Sequence, residues 1–369
     1  MDNIYSYWKK IHDMGSLEEF NQNIVGQLWL KLKSIIRPEL IKEFIKNNNI
    51  TLKTITSTKQ FEELFVILNK NVDMSHKLLD HYIIKKNISI LSELNINYLV
   101  SELYKLQVFE WGGDNKNSLD KYLVSYYVKT IQSFDLLNSK FETEINNAVK
   151  GYVLNSWYNH WSSILIEHIF KSHKSILPTV GQIKNVDFFI NDIPFDLKVT
   201  YFPSEYLKLK RKEKNLPVEL TYLKSNAKKL NIPYNKDASN SDIYYEITEK
   251  LKDNGNSDCL NVINKLKMEN IEIIKDTEKN TKTLSKWLYE NQGEMRFSSE
   301  NRLFLVLIDT NDFANSWKLK RNIELLTPII NKFLDDFSKK DIKDLEITFN
   351  YLNKPKTFYS LADIIFVIK

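Results

Sequence analysis

The sequence predicts an α/β protein in which a mixed central sheet is flanked by helices and follows an all-helical N-terminal domain. Two observations support this fold class. Residues 1 to about 150 carry apolar residues at helical spacing, in stretches such as FEELFVILNK and LSELNINYLVSELYKLQVFEW. After Gly151, short apolar strands alternate with helices, as in a sheet that helices cover.

The elements after Gly151 can be predicted in order. A helix, VLNSWYNHWSSILIEHIFKSH, ends at the stop ILPTVG and is followed by two strands in NVDFFINDIPFDLKVT, residues 185–200. Residues 203–280 are polar, Lys-rich and mostly helical, which indicates an insertion. A helix at LSKWLYENQ, the strand RLFLVLIDT, a long helix and the strands LEITFNY and DIIFVIK follow. We therefore predict two domains, residues 1–150 and 151–369.

Composition bounds the class of protein. Hydrophobic residues make up 43% of the chain and aromatic residues 12%, enough for packed cores, and the net charge of +5 permits binding to a polyanion. The single Cys259 can form neither an internal disulfide nor a multi-cysteine zinc site. The longest strongly apolar run, LFLVLI, is too short for a membrane helix. We expect a cytoplasmic protein without a membrane partner, and the abundance of Asn, Ile and Lys favours a bacterial source.

The segment 185–200 carries acidic and basic residues in a strand-like context. Asn191 and Asp192 suit a two-residue hairpin turn, because both residue types tolerate positive φ. With that turn, Asp187 faces Asp196 across the ladder and Lys198 shares their face. The opposite face is apolar and consists of Val186, Phe188, Ile190, Ile193, Phe195, Leu197 and Val199.

This arrangement suits metal-dependent phosphate chemistry. Two carboxylates with open positions suit Mg²⁺, and a nearby lysine can contact the phosphate or help to deprotonate a metal-bound water. The alternative is a set of solvated charges on the open face of a hairpin. The tripeptide D-x-K has little weight by itself, because it also occurs at 114–116 and 341–343.

The helix, the hairpin and the motif spacing together resemble the PD-(D/E)xK nuclease superfamily, which has the restriction-endonuclease-like fold. The first motif is Val186-Asp187, which lacks the nominal proline, and the second is Asp196-Leu197-Lys198. The resemblance covers residues 151–369 with 203–280 as an interruption. It implies that Asp187, Asp196 and the Leu197 carbonyl bind the metal and that Lys198 acts at the attacking water.

The resemblance also implies roles for residues outside the hairpin. Many members place a glutamate on the preceding helix, a position that Glu167 fits, although an exposed surface glutamate is nearly as good an interpretation. The segment 287–309 is similar to the next helix and central strand of restriction-type endonucleases. Gln292 there could reach the active site and Arg296 could bind phosphate, or both could be ordinary residues at a helix end.

A charge run, KLKRKEK, occupies residues 208–214 soon after the hairpin. Its default interpretation is a solvated helix face. Beside a nuclease site, Lys208, Lys210, Arg211 and Lys212 could instead contact the DNA backbone.

The function that these features predict is a Mg²⁺-dependent DNA endonuclease, with Mn²⁺ as a substitute, of the type II restriction kind used in phage defence. Its partner would be double-stranded DNA, and the resemblance implies a homodimer. Residues 1–150 would serve DNA recognition or dimerisation. The alternatives are a DNA-binding or assembly protein on a degenerate nuclease fold and a structure-specific nuclease such as a junction resolvase.

Overall fold

The computed structural model describes residues 4–54, 56–109, 118–291, 299–350 and 356–369. Short 3₁₀ segments occur at Leu17–Phe20 and Phe313–Arg321, and single π-helical turns at Val124–Val128 and Phe141–Ile145. The α-helices are α1 (Ile4–Asp13), α2 (Ile24–Lys33), α3 (Pro38–Asn47), α4 (Ser57–Leu68), α5 (Val72–Ser92), α6 (Ile96–Tyr104), α7 (Leu119–Leu123), α8 (Phe134–Lys140), α9 (Asn146–Lys171), α10 (Ser204–Glu213), α11 (Glu219–Lys229), α12 (Asn240–Asn254), α13 (Ser257–Lys279), α14 (Thr281–Asn291), α15 (Ile323–Phe337) and α16 (Ile342–Leu345). The strands are β1 (Leu177–Ile183), β2 (Val186–Ile190), β3 (Ile193–Tyr201), β4 (Arg302–Ile308), β5 (Glu346–Asn350) and β6 (Thr357–Ile368).

The six strands form one mixed sheet in the order β1-β2-β3-β4-β6-β5. The pairs β3–β4 and β4–β6 are parallel. The pairs β1–β2, β2–β3 and β5–β6 are antiparallel. Strand β4 is buried along its whole length, as the continuous apolar run LFLVLI after Arg302 requires of a central parallel strand. The predicted α/β class with a mixed sheet flanked by helices is confirmed.

The chain divides into two compact units. The first unit comprises Met1–Lys10, Glu19–Phe195 and Ala314–Lys339, and the second comprises Ile11–Glu18, Asp196–Phe313 and Lys340–Lys369. The predicted domain boundary near residue 150 falls inside the continuous helix α9. The first unit contains β1, β2 and the start of β3, and the second contains the rest of β3 with β4, β5 and β6.

The hairpin of β2 and β3 has the turn that the sequence predicts. Asn191 and Asp192 both have positive φ, 50° and 66°, and the Asn191 amide donates to the Ser338 carbonyl at 2.9 Å. The predicted apolar face is buried from Val186 to Leu197. The described ladder pairs Phe188 with Phe195, Phe189 with Pro194 and Ile190 with Ile193, as the predicted two-residue turn requires.

Strand β1 corrects the interpretation of ILPTVG as a stop between a helix and the hairpin. Residues Leu177–Ile183 instead pair with β2, with an irregular register between Pro178 and Ile183. A proline disfavours a central strand because it cannot donate to the ladder, but an edge strand tolerates it. The position of β1 at the edge of the sheet explains why the proline-glycine signal was misleading.

We expect Gly181→Ala to destabilise the first unit by about 1–3 kcal/mol, because a new Cβ must displace backbone atoms. The Gly181 N–H donates to the Ser34 carbonyl at 2.7 Å, and an added Cβ would lie 2.5 Å from that oxygen. Urea unfolding of the variant measures the loss. Gln182→Ala, at an exposed position of the same strand, is the control. Equal stability of the two variants would contradict the close approach.

The region predicted as a helical insertion contains helices α10 to α13. Three of these helices pack around a core of their own, in which the single Cys259 is buried. This core consists of Leu223, Ala227, Ile232, Ile243, Ile247, Leu251, Cys259, Val262 and Leu266. Among the described helices, none combines the length and the apolar composition that crossing a bilayer requires.

Candidate active site

The candidate active site is built on β3 within the second unit. Asp196 and Lys198 are two residues apart on the strand, so their side chains share one face. The Lys198 ammonium donates to Asp196 Oδ1 at 3.0 Å. The Asp196 side chain is 6% exposed, whereas that of Lys198 is 40% exposed. The structure therefore joins the two residues of the D-x-K motif, with the lysine nearer to solvent.

Arg302 at the start of β4 and Glu300 just before the strand add a second cation and a second acid to this pair. Asp196 lies opposite Arg302 in the parallel register, and its N–H donates to the Asn301 carbonyl at 3.0 Å. Arg302 Nε donates to Asp196 Oδ2 at 2.9 Å, and Arg302 Nη2 donates to Glu300 Oε2 at 3.0 Å. The result is a continuous chain of alternating charges, which we call the charge chain: Lys198, Asp196, Arg302 and Glu300.

Buried neutral groups hold the start of β4 in place. The Tyr289 hydroxyl donates to the Glu300 carbonyl at 2.6 Å, and the Ser360 hydroxyl donates to the same carbonyl at 2.7 Å. Burial raises the pKa of the Tyr289 phenol, so it stays a neutral donor. The Arg302 guanidinium lies 5.5 Å from the centre of the Tyr289 ring, within range of a cation–π contact. These contacts fix the guanidinium toward Asp196.

The charge chain has equal numbers of acids and bases, but removal of a buried member lowers the stability of the protein. It contains two acids and two bases, and the side chains of Asp196, Arg302 and Glu300 are at most 6% exposed. Buried ions lose their hydration, and only close partners offset that loss. Each buried member therefore depends on its neighbours, and removal of one leaves a buried charge without full compensation.

The donor chemistry of Asp196 is compatible with a magnesium ion. Proteins hold Mg²⁺ through one or two carboxylates, together with waters and substrate phosphate oxygens. An ionised carboxylate offers about four lone-pair sites. Lys198 and Arg302 use two of those on Asp196. Lone-pair sites on Asp196 therefore remain for a metal ion, which would compete with Lys198 and Arg302 for the carboxylate.

The other predicted metal ligands have defined positions of their own. Asp187 lies on β2 in the first unit, and its carbonyl accepts from the Thr179 hydroxyl at 3.0 Å. Glu167 lies on α9, as predicted, and pairs with Lys171 one turn later at 2.8 Å. The predicted juxtaposition of Asp187 and Asp196, and the roles of Glu167 and the Leu197 carbonyl, stay predictions.

The predicted DNA contacts differ in their surroundings. Gln292 and Arg296 lie outside the described residues. On α10, Lys208 pairs with Glu205 at 2.6 Å and Lys210 pairs with Glu213 at 2.8 Å. Lys212 is exposed.

Arg211 is the exception on α10. Its side chain is fully buried, with Nη2 2.7 Å from Glu269 and Nη1 2.8 Å from Asn270. Its Nε donates to the Pro217 carbonyl at 2.7 Å. This burial corrects the prediction for Arg211, because its donors are committed to protein acceptors and it serves the packing of α10 on α13.

Sequence reasoning missed Glu300 and Arg302. They stand in SSENR, a polar run directly before the buried strand LFLVLI, and charged residues at the start of an apolar strand are the signal that could have drawn attention. Their partner was not apparent, because Asp196 is 106 residues away from Arg302 in the chain.

Comparison with known proteins adds no assignment, since no family model, curated protein or solved structure matches this chain. The chemistry of the described residues is therefore the basis for a functional proposal.

Proposed function

We propose that this protein is a Mg²⁺-dependent DNA endonuclease that hydrolyses phosphodiester bonds. The observation that carries the proposal is the contact between Lys198 and Asp196, an acid and a partly exposed ammonium at 3.0 Å on one face of a strand. A buried carboxylate suits a fixed metal ligand. An ammonium open to solvent suits contact with a phosphate or with the attacking water.

The order of elements supports a restriction-endonuclease-like fold as part of the proposal. Helix α9 precedes the hairpin of β2 and β3, and α14 precedes β4, which pairs with β3 in parallel. The resemblance to the PD-(D/E)xK superfamily depends on this first helix, the hairpin and the motif spacing, and it extends to the later helix and strand. The described part of residues 4–171 contains helices and no strand, in keeping with a helical N-terminal domain.

Each residue of the proposed site has a role. Asp196 and the Leu197 carbonyl would hold the ion, and Lys198 would orient the attacking water and the phosphate. The metal-binding roles of Asp187 and Glu167 stay those that the resemblance implies. A bound Mg²⁺ would supply an activated water and would stabilise charge on the phosphate oxygens. Arg302 would orient Asp196 through its bond to Oδ2, while Glu300 and Tyr289 fix Arg302.

The proposed partner is double-stranded DNA, and the proposed context is restriction of phage DNA by a homodimer in the bacterial cytoplasm. The net charge of +5 supports binding to a polyanion. On α10, Lys212 is exposed and could contact a phosphate, and the partly exposed Lys208 could do so after release of Glu205. Surface ion pairs are weak enough for such an exchange.

A digest of methylated and unmethylated phage DNA tests the proposal. We expect cleavage in Mg²⁺ or Mn²⁺ and none in EDTA. Lys198→Ala should slow cleavage by about 10²–10⁴-fold, the range for loss of a group that moves protons in the transition state. The matched control is Lys343→Ala, in the D-x-K sequence at 341–343.

Two results would contradict the proposal. The first is intact DNA under every divalent condition, and the second is cleavage by Lys198→Ala at the wild-type rate. Inclusion of a four-way junction among the substrates separates a structure-specific nuclease from a sequence-specific one.

One observation favours the second candidate, a non-catalytic DNA-binding protein on the same fold. Both oxygens of Asp196 already accept from a cation, Oδ1 from Lys198 and Oδ2 from Arg302, so the site is charge-balanced without a metal. This candidate predicts salt-sensitive DNA binding that is equal in EDTA and Mg²⁺ and unchanged in Lys198→Ala. A gel-shift assay over a salt series measures both properties.

A further inference from the structure

A second cluster of ionisable side chains lies at the hairpin turn, within the first unit. We call it the turn cluster and define it as Lys31 on α2, His76 and Asp80 on α5, and Asp192 in the turn. One ring nitrogen of His76 and one carboxylate oxygen from each aspartate lie within 4.8 Å of one another. Among the described residues, His76, Asp80 and Asp192 are the one group of three potential metal ligands that lie this close together. None of them belongs to the proposed nuclease site.

His76 offers a lone pair that no described group uses. The residue is 7% exposed, and its Nε2 lies 2.9 Å from the Ile24 carbonyl. A carbonyl only accepts, so Nε2 carries the hydrogen and Nδ1 carries the lone pair. His76 Nδ1 is buried and has no hydrogen-bond partner among the described residues. Metal-bound histidines commonly use one nitrogen for the ion and donate the other N–H to a carbonyl.

The two aspartates supply oxygen ligands at the same place. Asp80 follows His76 by one helical turn, so the two side chains lie on the same face of α5. Asp192 reaches the cluster because the turn gives it a positive φ of 66°. Their side chains are 34% and 47% exposed, which leaves an approach for an ion from solvent.

Lys31 shows that the aspartates already hold one positive charge between them. Its ammonium lies 2.6 Å from Asp80 Oδ1 and 2.5 Å from Asp192 Oδ1, and its side chain is fully buried. Burial raises the pKa of the Asp80 carboxyl, and the Lys31 charge opposes that rise. The ammonium thus stands where a metal ion bound by both carboxylates would stand.

We propose that His76, Asp80 and Asp192 form a site for a divalent transition metal of the zinc class, which displaces the Lys31 ammonium on binding. One imidazole and two carboxylates suit Zn²⁺, which takes nitrogen and oxygen ligands at about 2.0–2.2 Å and leaves a fourth position for water. Mg²⁺ prefers oxygen ligands alone, so the imidazole selects against it. The ion would tie the hairpin turn to α2 and α5.

The test is metal binding by the untagged, EDTA-treated full-length protein. We expect uptake of about one zinc ion per chain, a higher melting temperature in zinc, and a visible absorption band for tetrahedral Co²⁺. Mg²⁺ should give neither uptake nor a shift at this site. His76→Gln and Asp192→Asn should each weaken zinc binding by at least about 10–100-fold, the loss seen even for outer-sphere partners.

Lys31→Met gives the opposite expectation, because it removes the competing cation. Its zinc affinity should exceed that of the wild type. The matched control is His173→Gln, a half-buried histidine whose Nε2 lies 3.6 Å from Asp335 Oδ1 and which should leave zinc uptake unchanged. Asp192→Asn keeps the turn, because asparagine also tolerates its positive φ, and Asp80 still pairs with the buried Lys31. Circular dichroism checks that the variant folds.

Three outcomes would overturn the proposal. They are the absence of zinc uptake by the wild type, uptake that persists in both His76→Gln and Asp192→Asn, and a Lys31→Met variant that folds but binds zinc more weakly than the wild type. Each is read from metal content and spectra, so failure here is distinct from failure of the proposed nuclease activity.

Discussion

Asp196→Asn is expected to abolish divalent-dependent DNA cleavage, with a loss of at least about 10³-fold. The substitution removes the negative charge that would hold the metal ion. A lost metal contribution of several kcal/mol in the transition state corresponds to a rate loss of that size. The measurement is single-turnover cleavage of plasmid DNA in Mg²⁺ and in Mn²⁺.

This substitution also disturbs a buried ion pair, so folding must be measured beside activity. Asparagine keeps one acceptor for Arg302 or Lys198 but presents an amide to the other cation. Circular dichroism and melting temperature report whether the chain still folds, and the matched control is Asp341→Asn in the D-x-K sequence at 341–343. A folded Asp196→Asn protein that cuts DNA at the wild-type rate would refute the site. If the variant does not fold, the partly exposed Lys198→Ala variant decides the question instead.

Arg302→Met is expected to destabilise the protein by about 3–5 kcal/mol, the usual cost of removing one partner from a buried ion pair. The side chains of Asp196 and Glu300 are 6% and 3% exposed, and without the guanidinium both acids stay buried with their main cation gone. Urea unfolding gives the change in free energy of unfolding. Methionine fills much of the volume, so the loss reports mainly on charge.

The control for Arg302→Met is a surface pair in the same unit. Lys208→Met removes the ion pair between Lys208 and Glu205, whose side chains are 41% and 68% exposed, respectively. The variant should lose no more than about 1 kcal/mol of unfolding free energy. The double variant Arg302→Met with Glu300→Gln should recover part of the loss, since one uncompensated acid is removed. If Arg302→Met is as stable as Lys208→Met, the charge chain does not stabilise this protein.

Much of the fold follows from local patterns in the sequence. The alternation in residues 185–200 predicts both strands, the Asn-Asp turn and the buried face, because a strand with one buried side repeats every two residues. The continuous apolar run of β4 predicts a central strand, because a strand that is buried on both faces is apolar throughout. Strand β1 could not be predicted, because its proline and glycine favour a loop and only its edge position makes them tolerable.

The candidate site was predictable only in part. The D-x-K spacing places Lys198 beside Asp196, since residues two apart on a strand share a face. Arg302 and Glu300 join them only through the parallel pairing of β3 with β4, which no local pattern encodes. Arg211 also shows what local sequence cannot predict. Its charge run predicts a solvated or DNA-binding helix face, but tertiary packing buries this one arginine.

The sequence by itself determined the α/β class, the hairpin with its turn and the pairing of an acid with a lysine on one strand. These features depend on side-chain periodicity and turn chemistry, which act within a few residues. Tertiary structure alone decided which distant charges meet: Arg302 with Asp196 across two strands, and Lys31 with Asp80 and Asp192 at the turn. The physical reason is that burial makes each charge require a partner, and the packing of distant segments determines which partner is within reach.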